Sequence, residues 1–378
     1  MKYFISAGEP SGDLHAAHLI AQINLQDPDA RWEFLGGDLM ARECGKQPVV
    51  HYRDMAFMGF SEVIRHLPQV LHNFKAAKKA LEAFHPDAII LVDYPSFNLK
   101  LAETAHSLGI PVYYYISPKV WAWKEHRVKA IKKYVKKVFC ILPFEVDFYR
   151  RRHDYAVDYV GNPSVEEVDS KLRNAMDRRE FLDKYSLSDL PIIALLPGSR
   201  KSEIKNNLAI MEEAASSLSD YQIVVAGAPG LDLAEYGFYL SPGVKILQDA
   251  TFELLHHAQV ALVTSGTATL ECALMRTPQV VCYRSNGSKL TYSIMAKILK
   301  IPFVSLPNLI AGKEIVPEML LHRCTPELVG KELRKILPGR PGYDNQQEGY
   351  ELMRSKLGTS DCAATTAQLL IRDLKQSR

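Results

Sequence analysis

Two stretches in the second half of the sequence combine a glycine turn, hydroxyls and nearby charge in the way anion binding demands. In IIALLPGSRKSEIKNN an apolar run leads into Gly198, Ser199 and Arg200, and a helical pattern opens at about Ser202. A helix start presents unpaired N–H groups and the positive end of the peptide dipole. Arg200 adds a fixed charge and a two-pronged fork that fits a phosphate. VALVTSGTATLECALM repeats the arrangement, with Ser265, Gly266 and Thr267 closing one run and opening the next helix. Glu271 follows four residues after Thr267, on the same side of that helix. Its carboxylate would repel a phosphate but accept hydrogen bonds from a diol such as a ribose. The two turns together suggest a nucleoside diphosphate.

The first half carries different chemistry. GEPSGD has the strand–turn–helix frame of a phosphate loop, yet it holds two carboxylates, Glu9 and Asp13, and lacks the G-x-G-x-x-G spacing. Its glycines, with Ser11 and Gly12, allow close approach of a sugar, while Glu9, Asp13 and His15 could accept hydroxyl hydrogens. In LVDYPSFNLK, Asp93 ends an apolar strand, where open α/β sheets place ligands, and Asn98 follows one turn later. A carboxylate there suits a general base for a substrate hydroxyl. ISPKVWAWKEHR gathers Ser117, Lys119, Trp121 and Arg127, cationic enough for an anionic partner. VSLPNLIAGKEIVPE offers Asn308, whose amide could orient a sugar or phosphate.

These groups need a scaffold, and the pattern supplies one. Short apolar runs alternate with amphipathic stretches, first from KYFIS to AVDYVG and again from PIIALLPGS to PQVVCYRS. Runs that stay apolar without alternation are covered on both faces, as in parallel sheets with crossover helices. The expected fold is therefore α/β, with two doubly wound Rossmann-like domains facing a central cleft. The expected boundaries are 1–165 for an acceptor-side domain, 166–345 for a nucleotide-side domain, and 346–378 for closing helices that pack back on the first. One stretch breaks the rhythm: Phe60, Val63, Ile64, Leu67, Val70, Leu71 and Phe74 fall at helical spacing beside basic residues. It reads either as core or as an interfacial helix lying on lipid.

Composition narrows the class. At 378 residues, with 47% hydrophobic and 24% charged residues, the chain reads as a globular protein of two domains. No apolar run approaches the length of a bilayer span, and no secretory leader is evident, so a cytoplasmic location is expected. The six cysteines are widely spaced, suggesting neither zinc nor disulfides. No divalent-metal pattern stands out, so arginine and helix ends would have to stabilise a leaving diphosphate. From Lys119 to Arg152 there are eleven Lys or Arg against three acids, a stripe suited to anionic lipid, nucleic acid or a phosphorylated substrate. No nucleic-acid recognition motif accompanies it.

GEPSGD, DYPSFN, SPKVWAW, LLPGSRKSEI, SGTATLECAL and SLPNLIAGKEIVPE, in that order, resemble the signature segments of the lipid-A-disaccharide synthase family. The resemblance runs from Ser6 to about Glu318. It implies an inverting, metal-independent glycosyltransferase of the B architecture, without cofactor. The implied donor is UDP-2,3-diacylglucosamine and the implied acceptor 2,3-diacylglucosamine 1-phosphate, giving UDP and lipid A disaccharide 1-phosphate. It also implies peripheral association with the cytoplasmic face of the inner membrane, and a homo-oligomer is compatible with it. Carried over, Asp93 becomes the base for the acceptor hydroxyl. Arg200 and the Ser265–Thr267 turn hold the diphosphate, Glu271 the ribose, and Asn308 the donor side. Some members carry a carboxylate where this chain has Ser96, which leaves the base between Asp93 and a group of GEPSGD.

Overall fold

The computed structural model describes residues 1–55, 67–228, 230–284, 302–359 and 361–376. The chain divides into two compact units, Met1–Pro163 with Thr359–Arg378, and Ser164–Gly358.

The first unit is built on seven parallel strands: β1 (Lys2–Ala7), β2 (Arg31–Gly36), β3 (Val50–His51), β4 (Ala88–Val92), β5 (Val112–Tyr115), β6 (Lys137–Cys140) and β7 (Asp158–Tyr159). Their order is β3-β2-β1-β4-β5-β6-β7, so the winding reverses between β1 and β4. Strand residues alternate between two cores, which is why the runs are apolar throughout. Tyr3, Ile5, Ile90 and Val92 face a layer formed by the helices Pro10–Gln26 and Cys362–Gln376. Phe4, Ile89 and Leu91 face the helices Leu67–Phe84 and Pro95–Ser107 on the other side. Proline at the first turn and a strand immediately before it fix both helix starts, Pro10 and Pro95.

The second unit repeats the plan with β8 (Ile192–Leu196), β9 (Gln222–Gly227), β10 (Lys245–Gln248), β11 (Val260–Thr264), β12 (Gln279–Tyr283) and β13 (Glu318–Leu320). The order β10-β9-β8-β11-β12-β13 places the reversal between β8 and β11. The helix Pro341–Leu357 belongs to this unit, contrary to the expectation that everything after 345 packs on the first. Gln346 exchanges two hydrogen bonds with the Gln279 backbone, at 2.8 and 2.9 Å, and the Tyr350 hydroxyl donates to the Thr277 carbonyl at 3.1 Å. The helix Cys362–Gln376 alone returns to the first unit.

Of the candidate lipid-facing residues, Phe60, Val63 and Ile64 lie outside the described residues. Leu67 and Leu71 are 48% and 51% exposed, whereas Val70 is half-buried and Phe74 packs edge-on against Phe97. Three lysines of the basic stripe hold the unit together: Lys132 caps the His153 carbonyl, Lys136 pairs with Asp373 and Lys137 with Asp158.

Candidate active site

The four turns singled out in the sequence, three of them glycine-bearing, are the loops that leave the sheets at the two reversal points, where doubly wound sheets place ligands. In the first unit, β1 and β4 run in register with Ala7 opposite Val92, so Gly8–Glu9 and Asp93–Tyr94 emerge side by side. The contact is tight: a Cβ on Gly8 would lie 2.3 Å from the Tyr94 ring, so no other residue fits. Asp93 and Tyr94 are both left-handed, with φ of 42° and 46°. Two such non-glycine residues in succession cost on the order of 1–2 kcal/mol each, so their surroundings must enforce them. The Asp93 carbonyl accepts from Asn98 Nδ2 at 2.8 Å and from the Tyr114 hydroxyl at 2.6 Å. The Tyr94 hydroxyl donates to the Met55 carbonyl at 2.6 Å.

This backbone brings two carboxyl groups, those of Asp93 and Glu9, close enough for each to feel the other's charge. Burial pushes Asp93 up to about 6, the like charge of Glu9 adds to this, and the Lys119 ammonium opposes it. Glu9 is the N-cap residue of its own helix but makes no side-chain cap bond there. A carboxyl poised near neutrality is what a general base for a sugar hydroxyl requires.

The neighbouring candidates divide between exposed and structural positions. Asp13 is 2% exposed and its oxygens accept the backbone N–H groups of Gly37, Leu39 and Met40 at 2.7, 3.1 and 3.3 Å. It caps the helix Asp38–Cys44 rather than facing a sugar, a correction to the sequence reading. Asn98 is fully buried and ties β1 to β4, accepting from Ser6 Oγ at 2.8 Å while its amide reaches the Asp93 and Val92 carbonyls. It positions Asp93 and does not face an acceptor. Ser117 hydrogen-bonds the Tyr149 hydroxyl at 2.7 Å inside the unit, and Trp121 is 9% exposed, edge-on to Phe144. Neither offers an open surface. Gly12 is buried, with Ala7 Cβ 3.3 Å from where its own Cβ would stand, whereas Ser11 is exposed. Burial, with His18 adding, pushes His15 down to about 4, leaving a neutral imidazole at pH 7. Arg127 donates to the exposed Ser96 hydroxyl at 2.9 Å. The sequence reading passed over Glu145, a buried carboxyl raised to about 8 by burial, which accepts the Leu142 N–H at 3.1 Å.

In the second unit, Leu196 of β8 stands opposite Val263 of β11, so the Gly198–Arg200 and Ser265–Thr267 turns lie together. The first turn closes on a residue not foreseen as part of the site. Glu203 accepts the N–H groups of Ser199 and Arg200 at 3.0 and 3.3 Å, and its other oxygen accepts from Arg200 Nη1 at 3.0 Å. The signal was in the sequence, since an acid three residues after a helix cap is the capping-box spacing. Gly198 makes room for it: its φ is 111°, and a Cβ there would fall 2.4 Å from Glu203 Oε2. In the second turn, Ser265 Oγ donates to the Val304 carbonyl at 3.2 Å, and Gly266 and Thr267 are exposed. Thr264, just before it, is 3% exposed and its hydroxyl has no partner among the described residues. Burial, with Glu167 adding, pushes Glu271 up to about 7.

Asn308 requires a correction. It is fully buried and all four of its hydrogen-bonding positions are taken internally. Its oxygen accepts the Ile315 and Val316 N–H groups at 2.7 and 2.9 Å, and its amide donates to the Val316 carbonyl and to Glu318 Oε1, both at 2.9 Å. Glu318 in turn accepts the Ser305 N–H at 2.9 Å and its hydroxyl at 2.7 Å. Asn308 braces the 304–318 loop instead of presenting its amide to a ligand. Among the described residues no group of three or more His, Cys, Asp and Glu is placed to hold a metal ion.

The geometry thus brings two carboxyl groups together at one reversal point, one of them raised towards neutrality, and sets an N–H-lined, arginine-bearing turn at the other. Residues 3–371 match the family described as lipid-A-disaccharide synthetase. A lipid-A-disaccharide synthase of Myxococcus xanthus is 40% identical, the match covering 100% of this chain and 98% of that protein. One of Acidobacterium capsulatum is 35% identical over 96% and 93%. Among solved structures, a UDP-GlcNAc 2-epimerase of Neisseria meningitidis bound to UDP-GlcNAc aligns with a TM-score of 0.63 at 11% identity, covering 100% of both chains. The calicheamicin glycosyltransferase CalG4 aligns at 0.58 and 15% identity, covering 99% and 98%. At these identities the structural likeness concerns the fold alone, that of the glycosyltransferase B architecture.

Proposed function

The chain belongs to the lipid-A-disaccharide synthetase family, a glycosyltransferase family of lipid A biosynthesis, and from that premise we propose its specific reaction. The donor is UDP-2,3-diacylglucosamine and the acceptor is 2,3-diacylglucosamine 1-phosphate. The acceptor 6-hydroxyl attacks C1 of the donor sugar as its proton passes to the Asp93 carboxylate. The new O6–C1 bond forms on the face opposite the breaking bond to the diphosphate, so the configuration inverts and UDP departs. Charge gathering on the leaving diphosphate is met by Arg200 and the helix-start N–H groups, without a metal. Glu271 takes the ribose hydroxyls. With Asp13 spent on backbone groups, Glu9 is the remaining carboxylate of its loop, and it tunes Asp93 rather than replacing it.

The observation that carries this reading is the raised, paired Asp93 carboxyl on an enforced left-handed turn, a costly arrangement that a scaffold residue would not need. The acylated substrates imply work at the cytoplasmic face of an anionic membrane. The exposed Leu67 and Leu71 beside Lys75, Lys78 and Lys79 support that, and no described helix is long and apolar enough to cross a bilayer. Incubation with both diacylated substrates should yield the disaccharide 1-phosphate by mass spectrometry. Equal turnover of an unacylated donor, or UDP release without disaccharide, would refute the assignment.

A further inference from the structure

The Gly198–Arg200 turn already holds an anion of its own. The Glu203 carboxylate bridges the Ser199 and Arg200 N–H groups with one oxygen and the Arg200 guanidinium with the other. These are the donors that the reading above assigns to the diphosphate. One N–H group cannot fully serve two anions, and two anions on the same turn repel. The placement is built rather than incidental. Glycine at 198, with its φ of 111°, is what lets the carboxylate tuck in, since a Cβ would overlap Oε2 at 2.4 Å. The Glu203 side chain is 19% exposed while its partner Arg200 is 64% exposed, so the acid lies beneath and the arginine outside. At the end of β11, just before the adjoining turn, the buried Thr264 hydroxyl is without a partner among the described residues.

We infer that Glu203 is an internal stand-in for the donor's diphosphate, holding the turn and Arg200 until the diphosphate displaces it. This rests on the donor site proposed above. A diphosphate can win the exchange because it brings more charge and more acceptor oxygens than one carboxylate. A nucleoside without phosphate cannot. Displacement returns the Glu203 carboxylate to solvent and frees the full Arg200 fork for the leaving group, so the arginine engages only when a diphosphate is present. The cost of expelling Glu203 lowers UDP affinity and helps product leave.

Calorimetric titration of UDP and of uridine, on wild type and on Glu203→Gln, tests this. The glutamine keeps an acceptor for the two N–H groups but removes the competing charge. UDP should bind the variant more tightly, on the order of ten-fold, with uridine affinity unchanged. A role confined to holding the turn predicts the reverse, so UDP affinity that is unchanged or weaker in the variant, with uridine retained, overturns the inference. If wild type binds neither UDP nor uridine, the donor-site reading fails and takes this one with it. Should Glu203→Gln not fold, Glu203→Ala carries the test, because it too removes the competing carboxylate. The same directions support or overturn the inference.

Discussion

The acid limb of the rate profile should move when Glu9 loses its charge. Asp93 titrates at about 6 against 3.8 for an unperturbed aspartate, so its ionised form is disfavoured in the folded protein by about 3 kcal/mol. Burial is the largest cause and the Glu9 charge the next. If Asp93 must be ionised to accept the hydroxyl proton, kcat/KM falls about ten-fold for each pH unit below about 6. Glu9→Gln removes the like charge but leaves the burial, so the limb should shift to lower pH without reaching the ordinary aspartate value. The gain has a ceiling. At pH 5 a carboxyl titrating at about 6 is about 9% ionised, against about 94% for one at 3.8, so the variant can exceed wild type there by at most about ten-fold relative to its own plateau. The assay is UDP release from the acylated substrates between pH 4.5 and 8.5, each variant normalised to its plateau. An acid limb that does not move refutes the coupling. A limb that survives in Asp93→Asn refutes the base assignment itself.

Two further outcomes concern stability. Asp93 binds its proton more tightly folded than unfolded, so stability is lost as pH rises from about 4 through about 6, and Asp93→Asn should raise the melting temperature at pH 8 but not at pH 4. The gain is bounded at about 3 kcal/mol, and an equal shift at both pH values would show that charge is not its source. Asn308→Ala should cost on the order of 3 kcal/mol or more in urea unfolding, because it strips partners from two buried N–H groups and a carbonyl. Unchanged stability with weakened donor binding would return Asn308 to the ligand.

The architecture was legible because parallel strands covered on both faces leave an unbroken apolar signature, and because glycine or proline turns mark where they end. That is why GEPSGD, DYPSFN, PGSR and SGTAT could be chosen from the sequence and reappear at the two reversal points. What each polar residue does there was not legible. Asp13 and Asn98 spend their side chains on groups 24 to 27 and up to 92 positions away, distances at which local spacing carries no information. Asn308 was misread for the opposite reason. Its partners lie only seven to ten residues on, but a buried brace and an exposed ligand look alike in a Pro-bounded loop. The helix Pro341–Leu357 went to the second unit through a glutamine contact to the β12 backbone and a tyrosine contact to the Thr277 carbonyl just before it, which periodicity does not encode.

The return of the helix Cys362–Gln376 has a consequence for how the protein is made. Ala367, Leu370, Ile371 and Leu374 share a core with Ala16, Leu19, Ile20 and Ile23, and Asp373 takes the Tyr113 hydroxyl at 2.6 Å and the Lys136 ammonium at 2.7 Å. The ribosome reaches that helix only after the whole of Ser164–Gly358. At about 5–20 residues per second, the nascent first unit waits some 10–40 seconds with an apolar flank uncovered. The second unit, whose strands and closing helix are contiguous, can fold as it emerges. Translation speed and chaperone supply should therefore govern the yield of the Asp93-bearing unit far more than that of its partner.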